Sequence, residues 1–247
     1  MQIRRLAAIM FIICGLVFSG CKTCMDSNGG PARTQSAGEA SASLAPENFK
    51  EERLAEAMRG LRYDSEGVEV DESMAAQIPN RGDADAAEEA YRQGREMLFQ
   101  VNDRVAAISA FTRAVILIPD VPRYYAGLGQ ALRYKGKMQE ALAAFRTALA
   151  LDPEYFEARR QFAVAVQMTG KYEEALSAWE RVIDLDPEFG EAHGRLAILS
   201  YYMADYIEAW QHVHRAERLE YDLPSQFRSL LEAKMPEPAH FAAGKGL

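Results

Sequence analysis

The chain has 247 residues, is 49% hydrophobic and 26% charged, and carries a formal net charge of -8. That balance suits a globular body and argues against a general nucleic-acid binder, which needs a basic face to meet phosphates. All three cysteines precede Met25, so none is left to staple a disulfide or hold a metal in the rest of the chain.

Arg4 and Arg5 stand before an unbroken apolar run, Leu6 to Phe18, of about 13 residues. A run of that length is short for a hydrocarbon core of roughly 30 Å but has the length of the apolar region of an export signal. It ends in Phe18-Ser19-Gly20-Cys21. Small residues before a cysteine at this place resemble the bacterial lipobox, with Phe18 where Leu, Val or Ile is usual. The resemblance implies cleavage before Cys21, a thioether-linked lipid on its sulfur with palmitate among the acyl chains, and a membrane-anchored lipoprotein of the cell envelope. Lys22, next to Cys21, points by the enterobacterial sorting rule to the outer membrane and its periplasmic face. Cys21 and Cys24 have C-x-x-C spacing, but no strand-then-helix context for thioredoxin-like chemistry surrounds them.

Residues 1–20 are therefore expected to be a signal peptide and 21–46 a disordered tether. The tether is mostly Ser, Gly, Ala, Thr and Gln, which cannot bury enough apolar surface to offset chain entropy. Residues 47–62 read as an amphipathic helix, with Phe49, Arg53, Leu54, Ala57, Met58 and Leu61 near one face. Residues 63–84 read as an acidic linker.

From there the chain repeats itself. At steps of 34 residues Ala107, Ala141, Ala175 and Ala209 align, as do Phe111, Phe145, Trp179 and Val213. Ala114, Ala148, Val182 and Ala216 form a third register, Pro119, Pro153 and Pro187 a fourth, and Asn102, Gly136, Gly170 and Ala204 a fifth. A fixed period of this length marks a stack of helix pairs. The pattern resembles the tetratricopeptide repeat family over Asp85 to Tyr221. The second unit matches best, with Tyr125, Leu128, Gly129, Leu132, Gly136, Ala141, Phe145, Ala148 and Pro153 where that family places such residues. The first unit departs at Gly94 and Arg95, where Leu and Gly are usual, and the fourth at Val213 and Tyr221.

The expected fold is all-α: a right-handed α-solenoid of about four helix pairs (about 88–121, 122–155, 156–189 and 190–223) within 85–222. A capping helix at 223–235 and a flexible tail at 236–247 follow. Asp85 and Glu88 have capping-box spacing at the first repeat helix. The alanines mark close helix crossings, and Phe111, Phe145 and Trp179 fill the space between units.

The resemblance also implies a concave groove lined by the first helix of each pair. On the 34-residue spacing that lining is Glu89, Arg92, Glu96 and Phe99; Arg123, Ala126, Gln130 and Arg133; Glu157, Arg160, Val164 and Gln167; and Glu191, Gly194, Ile198 and Tyr201. Arginine forks and aromatic anchors suit an extended peptide with acidic groups, although such cations on a solvated face usually pair with neighbouring glutamates. The asparagines of the subfamily that clamps a peptide C-terminus are missing from this lining. His212 and His214 are two residues apart, so on a helix they face different ways and cannot share a metal. No nucleophile motif or phosphate loop stands out. The sequence thus predicts a non-enzymatic binding scaffold without cofactor, its partner another protein; the alternative is a self-associating module, a homo-oligomer, or a stress adaptor with no dedicated peptide ligand. Lipoproteins of this build resemble the pilotins of pilus and secretion systems and the accessory lipoproteins of outer-membrane protein insertion.

Overall fold

The computed structural model describes residues 46–242. The predicted signal peptide, Cys21, residues 21–45 of the tether and the last five residues of the tail lie outside the described residues.

The elements in order begin with α1 (Pro46–Ala57), the strands β1 (Leu61–Tyr63) and β2 (Val68–Val70), and a short α2 (Glu72–Ala75). Four antiparallel helix pairs follow: α3 (Ala84–Glu96) with α4 (Arg104–Leu117), and α5 (Pro122–Lys135) with α6 (Met138–Leu151). Next are α7 (Phe156–Met168) with α8 (Tyr172–Leu185), and α9 (Gly190–Tyr202) with α10 (Tyr206–Arg218). The chain closes with α11 (Ser225–Lys234) and a single turn, α12 (Ala239–Ala242). Each helix of the pairs packs on the one before it and the one after, as a stack of repeats requires.

The local causes are visible in the sequence. Asp83, two residues before the expected cap at Asp85, accepts the backbone N–H groups of Asp85 and Ala86, both at 3.0 Å, and starts α3. Asp103 does the same for α4, and Asp205 accepts the N–H of Glu208 at 3.0 Å at the start of α10. Pro122 opens α5, where its missing N–H costs nothing. By contrast α6 and α8 begin at Lys137 and Lys171, whose side chains cap nothing. Within each pair the turn passes through one left-handed residue: Asn102 (φ 60), Gly136 (φ 87), Gly170 (φ 78) and Ala204 (φ 64). Glycine takes that conformation freely, and asparagine tolerates it.

Ala107, Ala141, Ala175 and Ala209 are completely buried, and so are Ala114, Ala148, Val182 and Ala216. Phe111, Phe145, Trp179 and Val213 are no more than 1% exposed. Burying rings of this size contributes about 3 kcal/mol each. They press on first helices where those helices have no side chain. A Cβ on Gly94 would meet the Phe111 ring at 2.7 Å, one on Gly127 the same ring at 2.6 Å, and one on Gly129 the Phe145 ring at 2.7 Å.

Two segments differ from the reading of the sequence. Residues 63–84 are not a linker, and a two-stranded hairpin accompanies the helical stack. The helix expected to reach residue 62 stops at Ala57, and Leu61 to Val70 forms an antiparallel hairpin with Leu61 opposite Val70 and Tyr63 opposite Val68. Asp64 holds its turn, its Oδ1 accepting the N–H groups of Glu66 and Gly67 at 2.8 Å. The hairpin docks on α6, with Val68 N–H donating to Thr147 Oγ1 at 2.7 Å, while α1 buries Leu54 and Ala57 against α4. Gly82 N–H then donates to Leu117 O at 2.9 Å. At the other end α11 buries Phe227 and Leu231 beside Trp210 and Val213. Trp210 Nε1 donates to Met235 O at 3.1 Å, and the first part of the predicted tail folds back as well, where Arg228 reaches Glu237 at 2.6 Å.

Ala204 is the one alanine among the four turn residues, and a left-handed backbone costs a Cβ-bearing residue about 1 kcal/mol. Ala204→Gly is expected to stabilise the protein by about that amount, offset by some chain entropy. The urea unfolding midpoint should rise; an unchanged or lower midpoint would refute the account of the turn.

Candidate functional site

The first helices of consecutive pairs share one lining. Tyr91, Arg95 and Phe99 from the first pair, Arg123, Ala126, Gly127 and Gln130 from α5, and Tyr155, Glu157 and Gln161 at and within α7 surround a recess of about 40 Å³. Arg123 donates to Glu88 Oε2 at 2.6 Å and lies 5.7 Å from the Tyr91 ring and 5.4 Å from the Tyr124 ring. The Tyr91 ring in turn packs at 5.6 Å from Phe111, so burial raises its phenol above the ordinary tyrosine range.

From there a polar ladder crosses three first helices. Arg133 donates to Gln161 Oε1 at 3.1 Å, and Gln161 Nε2 donates to Glu157 Oε1 at 2.8 Å. Glu157 accepts from Arg160 at 3.0 and 3.2 Å, Arg160 also reaches Glu191 at 3.2 Å, and Arg195 closes on Glu191 at 3.1 Å. Burial opposes the charge on Arg160, and the carboxylates of Glu157 and Glu191 more than offset it. Arg123 and Arg160 are therefore paired, as expected for cations on such a face. Arg95 differs: it is exposed and has no ion pair among the described residues.

Of the residues read from the sequence, Phe99, Arg123, Ala126, Gln130 and Glu157 meet in this lining. Glu89, Arg92 and Glu96 instead border an adjoining open recess of about 440 Å³ with Gln93 and Gln100, which shares Arg95 and Phe99 with the first and in which Arg92 pairs with Glu89. The cause is a π-helical turn at Met97–Val101, which takes up one extra residue. Gly94, the partner of Phe111, stands 35 residues before Gly129, the partner of Phe145, not 34. The face of α3 on the groove is thus Glu88, Tyr91 and Arg95, one residue earlier than the repeat spacing gives. The apparent departure at Gly94 and Arg95 was the signal of that shift. Gln167 and Tyr201 do structural work: Gln167 Oε1 accepts from Trp179 Nε1 at 3.0 Å, and Tyr201 packs at 5.7 Å from Phe227 of the capping helix.

A second polar feature was not foreseen. His193 on α9 and His212 on α10 face each other with their Nδ1 atoms 3.1 Å apart. His193 Nε2 lies 3.1 Å from the Pro187 carbonyl, which only accepts, so His193 carries its proton on Nε2 and His212 donates from Nδ1. Burial, and then His193 beside it, hold His212 down to about 4. His214 faces elsewhere, between the Trp210 and Phe241 rings and toward Glu237. No three His, Cys, Asp or Glu side chains among the described residues are placed to hold a metal.

A stack of antiparallel helix pairs with one shared lining and no assembled nucleophile or metal centre among the described residues defines a helical-repeat protein. Residues 122–155 match the tetratricopeptide repeat family model. Among solved structures, a crystal structure of MamA is similar at 19% identity and a TM-score of 0.53, over 72% of this chain and 95% of that one. MamA residues 41 to the end from Desulfovibrio magneticus RS-1 are similar at 22% identity and a TM-score of 0.51, over 56% of this chain and 77% of that one. At these identities the likeness is one of fold. Among the curated proteins compared, none matches.

The histidine pair carries a pH prediction. Unfolded, His212 binds a proton near pH 6.5, whereas the folded protein refuses it until about 4. Its contribution is therefore fully present above pH 6.5 and is lost progressively as pH falls toward 4, reaching about 2 kcal/mol at pH 5. Thermal midpoints of wild type and His212→Gln should converge as the pH is lowered from 7 to 5; parallel curves would contradict the pairing.

Proposed function

We propose that this protein is a non-enzymatic scaffold that binds an extended segment of another protein along the lining built by α3, α5 and α7. The carrying observation is that Arg95, a cation with no ion pair among the described residues, stands in this lining with the exposed ring of Phe99, Gln130 and Tyr91. A guanidinium fork takes a carboxylate, an exposed ring takes an apolar side chain, and an amide takes backbone groups, so an extended acidic peptide with one large apolar residue suits it. The paired arginines keep the rest of the lining rigid.

The tether belongs to the same proposal. The apolar run Leu6–Phe18 and the Ser19-Gly20-Cys21 sequence support a lipid on Cys21 and attachment to a membrane of the bacterial cell envelope, outer membrane and periplasmic face. There the scaffold recruits a component of a pilus, secretion or outer-membrane assembly. Among the described residues no helix is long and apolar enough to cross a membrane.

Two measurements test the proposal separately. Cells fed labelled palmitate should yield labelled protein in the membrane fraction, and Cys21→Ser should abolish the label; labelled Cys21→Ser protein would remove the tether. A photo-crosslinker at Gln130 should capture a defined partner that one at the outward-facing Arg113 does not. Arg95→Glu with Phe99→Ala should cut capture about tenfold or more. Equal capture from both positions, or capture untouched by the double variant, would remove the groove.

A further inference from the structure

The recess of about 40 Å³ between α3, α5 and α7 owes its existence to small residues on α5. Ala126 stands 34 residues before Arg160, where the same position on α7 carries a long side chain tied to Glu157 and Glu191. Gly127, beside it, has no side chain because the Phe111 ring lies against it. The space left would hold about three water molecules, or a carboxylate on one methylene. Gln161 lines this space and is only 4% exposed. Its amide cannot turn over. Arg133, which only donates, fixes Oε1, and the Glu157 carboxylate, which only accepts, fixes Nε2. One N–H of that amide is left over among the described residues.

The polar groups around the space are mostly donors. Tyr91 and Tyr155 both line it, and neither hydroxyl is hydrogen-bonded among the described residues. Burial raises both phenols above the ordinary tyrosine range, so each keeps its proton at neutral pH. Arg95 has no ion pair among the described residues, and Arg123 spends one nitrogen on Glu88. The acceptors are fewer and mostly engaged. Glu157 takes Arg160 and Gln161, Glu88 takes Arg123 and the Tyr124 hydroxyl, and Glu191 takes Arg160 and Arg195. Glu96 stands exposed in the adjoining recess, and Asp152, which bears on Tyr155, accepts the N–H of Glu154. Positive and negative charges around the groove thus come close to balance. What is in surplus is hydrogen-bond donors.

We infer that this recess takes the side-chain carboxylate of one aspartate in the bound segment, with Arg95, Tyr91, Tyr155 and Gln161 as its donors; the inference rests on the groove proposed above. A carboxylate accepts at about four positions and donates nothing, so it suits a surplus of donors. An asparagine would bring two N–H groups of its own and find little to receive them. The hydrogen bonds are also stronger to an ionised acceptor, whose charge meets Arg95. Size adds the second restriction. Glutamate has one methylene more than the space holds, and a carboxylate at a chain terminus brings its own α-carbon, side chain and amide. Phe99, shared with the adjoining recess, then takes the apolar side chain of a neighbouring residue.

The test probes the labelled full-length protein with an array of short peptides capped at both ends. Each peptide carries one fixed leucine or phenylalanine and one fixed aspartate, glutamate or asparagine, the other positions being mixed. Aspartate peptides should be retained best, glutamate peptides roughly tenfold more weakly because of the extra methylene, and asparagine peptides not measurably. Fluorescence anisotropy with the strongest aspartate peptide then reads the recess itself. Tyr91→Phe and Tyr155→Phe each remove a hydroxyl and keep the ring, and each should weaken binding roughly tenfold or more. Ala126→Leu removes no donor but fills the space, and should abolish binding while the circular dichroism spectrum stays that of wild type. Equal retention of aspartate with glutamate or asparagine, a need for a free carboxyl terminus, an array that retains no aspartate peptide, or phenylalanine and leucine variants that bind like wild type would each overturn the inference. The groove is judged separately, by the crosslink from Gln130: capture there that responds to Arg95→Glu with Phe99→Ala, without any selectivity for aspartate, would leave the groove standing and sink only this inference.

Discussion

The structure depends on how closely its helices approach. Alanine at each crossing leaves no side chain to hold the axes apart, and the rings of Phe111, Phe145 and Trp179 then fill the gap to the next helix. Where such a ring meets a first helix there is no room for a Cβ, hence Gly94, Gly127 and Gly129. A packed interior gives little, so a misplaced methyl would displace a ring or a whole helix. The first pair shows how strict this is. Its first helix carries one residue more than the repeat allows, and the backbone takes up the excess in a π-turn so that Gly94 still meets Phe111.

That adjustment decides which side chains reach the groove. Because the glycine stays against the ring, the rest of α3 turns with it, bringing Tyr91 and Arg95 to the lining and leaving Glu89, Arg92 and Glu96 on the neighbouring face. The groove is therefore set by core packing at one remove. Its charge is largely consumed by the ladder from Arg133 to Arg195, which ties three first helices together and fixes their spacing. Binding capacity concentrates at the one end where a cation stays unpaired and an aromatic ring stays exposed.

Most of the helical stack was legible in the sequence because its determinants recur: an alanine, a ring and a turn residue at constant spacing. What escaped lacks repetition. The hairpin has strands of three residues, too short to show a period, and is held partly by a bond from Val68 to Thr147 far along the chain. The alternation of Leu61 with Tyr63 and of Val68 with Val70, around Asp64 to Gly67, was its only local sign. The histidine pair joins two helices through residues 19 apart, a distance no helical face pattern connects. The groove residues of the first pair were misplaced by one position because constant spacing presumes a regular α-helix, and Arg95, which looked like a departure from the repeat, is the residue the departure puts to use.

The amino-terminal segment changes the mechanics of the stack. In a simple array each unit touches only its neighbours, so the ends fray first and melting spreads inward. Here α1 lies on the second helix of the first pair while the hairpin that follows it lies on the second helix of the next, a brace spanning two units. The first two pairs should accordingly open and close as one cooperative block, leaving the frayed end to the carboxyl-terminal side. The groove residues Tyr91, Arg95, Arg123 and Gln130 all fall inside that block, so the part of the molecule that grips is also the part that yields last.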